Sequence, residues 1–347
     1  MEKSLKILVL YNETLDQVAE EHAKRQENLP FMDKSLPTPD EEFEEIALAL
    51  RSKGHTAQIY NIEDNLETLI QKIETFKPDV VFNLMEIFRF IPKLESNVAG
   101  ILSLLKVPYT GATPQVLRNC QDKVMVKRIL GNNGIKTASF IVTQELISLK
   151  DTGLKLPLIL KPAYEDSSVG IENASVIREE DKFILRLEYM LKRFLQPIII
   201  EEFIEGRELN VAIFGYPKLH ALPISEIDFS AMPPHLENIV SYEAKWDEEH
   251  EAYHKSVGVC PADLPKNIEK KAKQTALNAG RLMGINDYAR VDMRLTPQGE
   301  LYVLEVNPNP DLTEGAGFMR SAHAADYSFA DALDLIVRLA FRKKFHQ

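Results

Sequence analysis

Residues 288–310, YARVDMRLTPQGELYVLEVNPNP, set two alternating apolar runs on either side of Gln298-Gly299. That pattern constrains the chain to an antiparallel hairpin. Side chains alternate faces along a strand. Arg290, Asp292 and Arg294 therefore share one face, and Val291, Met293 and Leu295 the other. On the second strand, Leu301, Val303, Glu305 and Asn307 are expected on a common face. With Gln298-Gly299 as a two-residue turn, Asp292 stands opposite Glu305 and Arg290 opposite Asn307. Opposed carboxylates repel, by about 3 kcal/mol at an effective dielectric of about 20. A cation is therefore expected between them. The oxygens of Asp292, Glu305 and Asn307 suit Mg2+ held by a few protein ligands and substrate phosphates. Neutralisation by Arg290 and Arg294 is the alternative.

The rest of the chain reads as α/β. Lys6–Tyr11, Ala57–Tyr60 and Val80–Leu84 are strand-like, and helical spacing runs through Glu41–Lys53 and Leu66–Phe76. This β-α-β-α-β order implies a parallel sheet. No Gly-x-Gly-x-x-Gly follows the first strand, so a dinucleotide site has no support there. The turn-rich Pro108–Pro114 marks a boundary, and a single helix is expected over Thr113–Asn132. Strands follow at Ala138–Val142, Leu158–Lys161, Pro197–Phe203 and Glu208–Phe214, with a helix at Lys182–Leu195. The polar, Pro-interrupted stretch Ala231–Pro265 predicts a long ordered excursion. Helices are expected at Asn267–Met283, closed by Gly284, and at Phe329–Phe341.

A chain of 347 residues with 45% apolar and 27% charged residues suits a globular protein of two or three domains. A net charge of −11 excludes a general binder of nucleic acid or anionic membrane. No apolar run reaches the ~18 residues of a membrane span, and Ile7–Leu10 reads as a strand, not a signal core. The cysteines, Cys120 and Cys260, are far apart and outside any zinc spacing, which fits a reducing cytoplasm.

Three further segments carry chemistry. In LILKPAYEDSSVG, residues 158–170, a strand delivers Lys161 to a loop whose Ser167 and Ser168 hydroxyls and backbone N–H groups can cradle phosphate oxygens. It is not a Walker A loop. Lys123, in RNCQDKVMVK, lies early on a helix. In IIIEEFIEGREL, residues 198–209, acids follow an apolar strand; a strand end can read an adenine edge, and Glu208 can accept ribose hydroxyls.

From about Pro108 to Ala325 these segments stand in the order and spacing of one family. The blocks PYTGA, DKVMVK, LKPAYEDSSVG, EEFIEGRELNVAIFG, SYEAKW with CPADLP, and ARVDMRLTPQGELYVLEVNPNPDLT make the chain resemble the D-alanine–D-alanine ligase branch of the ATP-grasp superfamily. The resemblance implies a three-domain α/β fold with an N-terminal parallel-sheet, Rossmann-like domain. Residues 1–110 would form that substrate-side domain, 111–200 the small ATP-grasp subdomain, and 201–347 the subdomain with the metal and catalytic residues. It implies ATP, with two Mg2+ ions (or Mn2+) on Asp292, Glu305 and Asn307. Lys123, Lys161, Ser167 and Ser168 would meet the phosphates, Glu201, Glu202, Phe203 and Ile204 the adenine, and Glu208 the ribose. Arg290, Lys245 and Ser167 would be the catalytic set. The implied partners are a small carboxylate and an amine, and relatives of this kind commonly form dimers.

Departures fall on the substrate side. YNETLDQVAEEHAKRQENLP, after the first strand, and FNLMEIFRFIPKLESNVAG, after the third, lack the family's Ser-x-Glu-His, His-Gly and Gly-Glu-Asp-Gly blocks. Asp311 replaces a usual Gly, Ala316 a usual Ser, Trp246 a usual Tyr and Asp166 a usual Gly. Glu86, Arg89, Glu95 and Asn97 are candidates for an altered pocket. The expected activity is amide formation through an acyl phosphate. A non-catalytic ATP-binding or regulatory protein, and an ATP-grasp carboxylate–thiol ligase or phosphotransferase, are the alternatives.

Overall fold

Lys6–Tyr11 (β1) is an almost fully buried strand at the centre of a three-stranded parallel sheet. The computed structural model describes residues 3–13 and 39–343. After helix α1 (Pro39–Ser52), β2 (Thr56–Asn61) pairs with one edge of β1. After α2 (Leu66–Phe76), β3 (Val80–Asn83) pairs with the other. Asn65 starts α2 by accepting the N–H groups of Glu67 and Thr68, as a cap should. Helix α3 (Glu95–Leu104) is not announced by periodicity. Its buried Glu95 and Ser96 interrupt the apolar pattern that Val98, Ala99 and Leu102 continue.

The single helix expected over 113–132 is two. They are α4 (Pro114–Gln121) and α5 (Lys123–Asn132). Asp122 breaks the run with extended backbone, and its carboxylate accepts the Met125 N–H as the cap of α5. The break places Lys123 on the first turn of α5.

The middle sheet is antiparallel. Its elements are β4 (Phe140–Thr143), α6 (Leu149–Thr152), β5 (Leu158–Pro162), β6 (Val176–Ile177), α7 (Glu180–Phe194) and β7 (Ile198–Glu202). The strand order is β4-β7-β5-β6. Leu158, Leu160, Ile198 and Ile200 pack on Phe183, Leu187 and Met190 of α7. Burial of each such side chain is worth about 1.5–3 kcal/mol. The opposite face carries Ile159, Val176, Lys161 and Glu201. The expected division at residue 200 falls inside β7, which is hydrogen-bonded to β4 and β5, so that strand stays with the middle sheet.

The largest sheet runs β11-β10-β8-β12-β13, with β9 also on β8. In chain order its elements are β8 (Arg207–Phe214), β9 (His220–Ala221), β10 (Ser225–Asp228), α8 (Tyr242–Trp246), α9 (Glu251–Lys255), β11 (Val257–Val259), α10 (Lys266–Met283), β12 (Tyr288–Leu295) and β13 (Leu301–Asn307). Leu209, Val211, Ile213, Val291 and Met293 bury one face against Ala272, Ala276 and Ala279 of α10. The other face carries Glu208, Asn210, Arg290, Asp292 and Arg294, and at its far end Ala212 and Tyr288 pack on Phe318 and Met319.

The hairpin register is as expected at its functional end, with Arg290 opposite Asn307 and Asp292 opposite Glu305. The two-residue turn is not. Met293 pairs with Val303 and Leu295 with Leu301, and a β-bulge between these stretches absorbs Leu304. One extra residue reverses the alternation. Leu301 and Val303 therefore lie in the core while Glu305 and Asn307 turn to the polar face, correcting the common face expected for the four.

After α11 (Gly317–His323), α12 (Phe329–Lys343) returns to the first sheet. Leu333, Ile336 and Val337 pack with Ile7, Val9, Val80 and Phe82, and with Ile46 and Leu50 of α1. Lys53 meets Asp331 at 2.5 Å, His55 meets Asp334 at 2.6 Å, and Lys343 meets the buried Asp287 at 2.7 Å. Among the described residues no helix is long and apolar enough to cross a membrane.

Candidate active site

The polar face of β8, β12 and β13 faces the phosphate-type loop after β5. Register places Asn210 beside Asp292 and Glu208 beside Arg294. Asp292 is 5% exposed and takes four hydrogen bonds. Arg290 donates two, from Nε at 2.8 Å and Nη2 at 2.7 Å. Asn210 Nδ2 donates at 2.8 Å and Asn307 Nδ2 at 2.9 Å. Asn307 Nδ2 also donates to Glu305 Oε1 at 3.0 Å, so one amide bridges both carboxylates. Lys123 Nζ lies 3.8 Å from Glu305. Burial opposes a charge on Glu305, but Lys123, Asn307 and Arg290 hold its carboxyl down to about 2. Burial pushes Asp292 up against the pull of Arg290, with the Glu305 charge adding to the rise.

Two carboxylates converge here on one amide, Asn307, with arginine and lysine as the cations. Among the described residues no group of three or more His, Cys, Asp or Glu is placed to hold a metal. A hard cation sharing Asp292, Glu305 and Asn307 with phosphate oxygens fits this donor set.

Lys161, the last residue but one of β5, pairs with Glu201 Oε1 at 2.5 Å. The other oxygen of Glu201 pairs with Lys127 at 2.6 Å. Glu201, expected at an adenine, thus spends its side chain on two lysines. They hold its carboxyl low although burial opposes the charge. Lys127 was not singled out from sequence. Its signal was present, four residues after Lys123 on the same helix. Glu202 alternates to the other face of β7, and its N–H donates to Ser139 O at 3.0 Å. The Phe203 N–H donates to Pro157 O at 2.9 Å. The Phe203 ring packs with Ile159, Val176, Ile171 and Ile239 into an apolar floor. Ile204 follows on the same connection, half-buried. Glu208 pairs with Arg294 at 2.9 Å, and burial pushes its carboxyl up.

Lys123 Nζ also donates to Glu165 O at 2.5 Å and Asp166 Oδ1 at 2.9 Å, tying α5 to the loop. In that loop Ser167 and Ser168 both adopt left-handed backbone, φ 51° and 63°. Two successive non-glycine residues in that region store strain, which persists where surrounding contacts impose it. The contacts come from the 240–246 segment. Ser168 Oγ donates to Val240 O at 2.8 Å, Trp246 Nε1 to Ser167 O at 3.0 Å, and Lys245 Nζ to Ser167 Oγ at 3.5 Å. Burial pulls the Lys245 ammonium down, with Asp311 opposing and Arg290 adding.

Of the four pocket candidates, Arg89 and Asn97 are exposed. Glu86 is accessible yet shares a field with Lys245, Asp311 and Asp166. Glu95 is buried, with Asn309 Nδ2 at 3.5 Å. Burial pushes the Glu95 carboxyl well above the usual carboxylate range, and Glu86 and Asp166 add to the rise. A raised acid pKa means the folded state binds the proton first, so stability falls as pH rises above the ordinary value of 4.5 and through the raised one. Glu95→Gln is accordingly expected to unfold at higher guanidinium concentration than the parent at pH 8, with the difference closing toward pH 5. An equal midpoint at pH 8 would remove that account. The stretch YNETLDQVAEEHAKRQENLP lies, from residue 14 onward, outside the described residues.

Comparison with known proteins follows the same lines. The family model for the D-ala D-ala ligase C-terminus matches residues 131–338. The D-alanine–D-alanine ligase of Bordetella petrii is 32% identical over 248 residues, 70% of this chain and 71% of the relative. An uncharacterized protein, y4sG, of Sinorhizobium fredii is 26% identical over 326 residues, 91% of this chain and 92% of its own. The crystal structure of D-alanine–D-alanine ligase from Bacillus anthracis complexed with ATP superposes with a TM-score of 0.71, at 22% identity and 99% coverage of both chains. With the fold, the family model and the Bordetella relative in agreement, the chain belongs to the D-alanine–D-alanine ligase family of ATP-grasp ligases.

Proposed function

We propose that the chain is an ATP-dependent carboxylate–amine ligase that makes an amide through an acyl phosphate, with substrates other than D-alanine. The observation that carries this reading is the cluster around Asn307. One amide joins Asp292 and Glu305, with Arg290 and Lys123 alongside. Binding alone needs no such concentration of opposed charge.

Lys161 and Lys123 take the ATP phosphates, helped by Ser167 and Ser168. The apolar floor around Phe203, with the backbone from Glu201 to Ile204, takes the adenine, and Glu208 the ribose. Asp292, Glu305 and Asn307 would hold magnesium, which would neutralise phosphate oxygens. A substrate carboxylate oxygen attacks the γ-phosphorus, and the bond to ADP breaks. Lys245 reaches that phosphate from the lid, and Arg290 balances the acyl phosphate and the oxyanion that follows. The amine nitrogen then attacks the carbonyl carbon, loses a proton, and the C–O bond to phosphate breaks. The Ser168–Val240 and Ser167–Trp246 contacts close the lid on the loop and keep water from the acyl phosphate.

The substrates are read from the departures. Ala316 lacks the hydroxyl expected near an acceptor carboxylate, and Glu86 and Asp311 bring negative charge to the field of Lys245. The segments bounded near residues 110 and 200, cytoplasmic residence and a homodimer belong to the same proposal.

The test is Mg-dependent phosphate release from ATP with D- and L-amino acids and dipeptides, singly and in pairs, with the amide identified by mass. Release that requires a particular pair establishes the ligase. Efficient D-alanyl-D-alanine synthesis would refute the altered pocket. A thioester or a phosphorylated acceptor in place of an amide would refute the reaction.

A further inference from the structure

Glu201 serves two lysines that differ in one respect. Lys161 keeps 11% of its side chain exposed, on the cleft side of β5, while Lys127 keeps none. Lys127 sits on α5 between the Glu201 carboxylate at 2.6 Å and the Phe140 ring at 5.6 Å, and Nζ has no further hydrogen-bond partner. Its neighbours on the helix, Val126 and Leu130, are core residues. Lys127 therefore has nowhere else to place its charge. Lys161 does, because the proposed role of its ammonium lies at a phosphate.

A buried carboxylate cannot lose its only cation without a large desolvation cost. If Lys161 were the sole partner of Glu201, each ATP that engaged Lys161 would strand that carboxylate. We propose that Lys127 is a positioning residue, the resident counter-ion of Glu201, which lets Lys161 turn from Glu201 to the ATP phosphates. This rests on the reading of Lys161 as a phosphate ligand. The two oxygens of Glu201 then divide the work. One holds Lys161 ready before ATP arrives, and the other stays paired throughout. Burial pulls the Lys127 ammonium down while Glu201 opposes.

The arrangement predicts a rescue that a merely structural lysine would not give. Mg-ATP binding is measured by calorimetry for Lys127→Met, Lys127→Arg, Lys161→Met and the double variant Lys127→Met/Glu201→Gln. Lys127→Met should weaken binding by about 30-fold, the loss of one charged hydrogen bond at the phosphate. Removing the carboxylate as well leaves nothing to strand, so the double variant should return to within about fivefold of the parent. Lys127→Arg should stay within about threefold. A Lys127→Met protein that binds like the parent, or a double variant no better than Lys127→Met, overturns the proposal. Should Lys127→Met not fold, the double variant decides alone: near-parent binding supports the proposal, and a loss as large as that of Lys161→Met overturns it. Normal binding by Lys161→Met removes the phosphate reading itself, and this inference with it.

Discussion

Asp292→Asn is expected to lower Mg-dependent ATP turnover by about 10³-fold, roughly 4 kcal/mol of transition-state stabilisation. The substitution keeps the shape and removes one charge. Arg290 loses the anion that holds both its Nε and Nη2, and the pair of carboxylates around Asn307 becomes a single one. A magnesium ion would then have Glu305 and an amide in place of two charges, and Arg290 would be free to compete for the phosphate. Glu305→Gln should act in the same direction, because Glu305 is the partner that Lys123 and Asn307 keep ionised. Steady-state phosphate release, with far-UV circular dichroism to confirm folding, is the measurement. A folded Asp292→Asn protein within tenfold of the parent would mean that the cluster is an ion-pair network with no catalytic part.

The largest stability effect is expected at Gly206, between β7 and β8. Its φ of +145° is closed to other residues, and an added Cβ would lie 2.1 Å from the Leu295 carbonyl oxygen. That oxygen cannot yield, because Leu295 pairs with Arg207 and Leu301 inside the large sheet. Gly206→Ala should destabilise by about 3 kcal/mol or more, lowering the thermal midpoint by about 4 °C or more. Gly131 supplies the contrast. It lies within α5, and nothing stands within 4 Å of where its Cβ would go. Gly131→Ala should stabilise by about 0.5–1 kcal/mol, through helix propensity alone. Guanidinium unfolding of both variants checks the pair. A Gly206→Ala protein within 1 kcal/mol of the parent would show that the backbone there can move.

How far the sequence reached depends on the kind of signal. Strands such as Lys6–Tyr11 and Tyr288–Leu295 were legible to the residue, because burial on one or both faces writes itself as an unbroken or alternating run. The opposition of Asp292 and Glu305 was legible too, yet through a turn that does not form. The turn-side pairing is offset by one, and the bulge at Leu304 restores the register before the carboxylates are reached. A bulge has no composition of its own here, so alternation alone could not reveal it. Asn210 and Lys127 escaped for a different reason. Each matters through a partner on another element, Asp292 and Glu201, and a pairing across the fold has no spacing in the chain. The family blocks pointed to Lys123 and Lys161, but only the folded contacts show Lys123 tied to the Asp166 loop and Lys161 tied to Glu201. The two substrate blocks gave no match to follow.

The return of α12 to the first sheet has a consequence for synthesis. Ile7, Val9, Val80 and Phe82 emerge from the ribosome early, but Leu333, Ile336 and Val337, which cover them, emerge some 250 residues later. The parallel sheet can form on schedule, with one apolar face still partly open. The middle and large sheets must then fold beside a hydrophobic surface that α1 covers in part and α12 completes. The N-terminal sheet is thus made well before the helix that completes its cover.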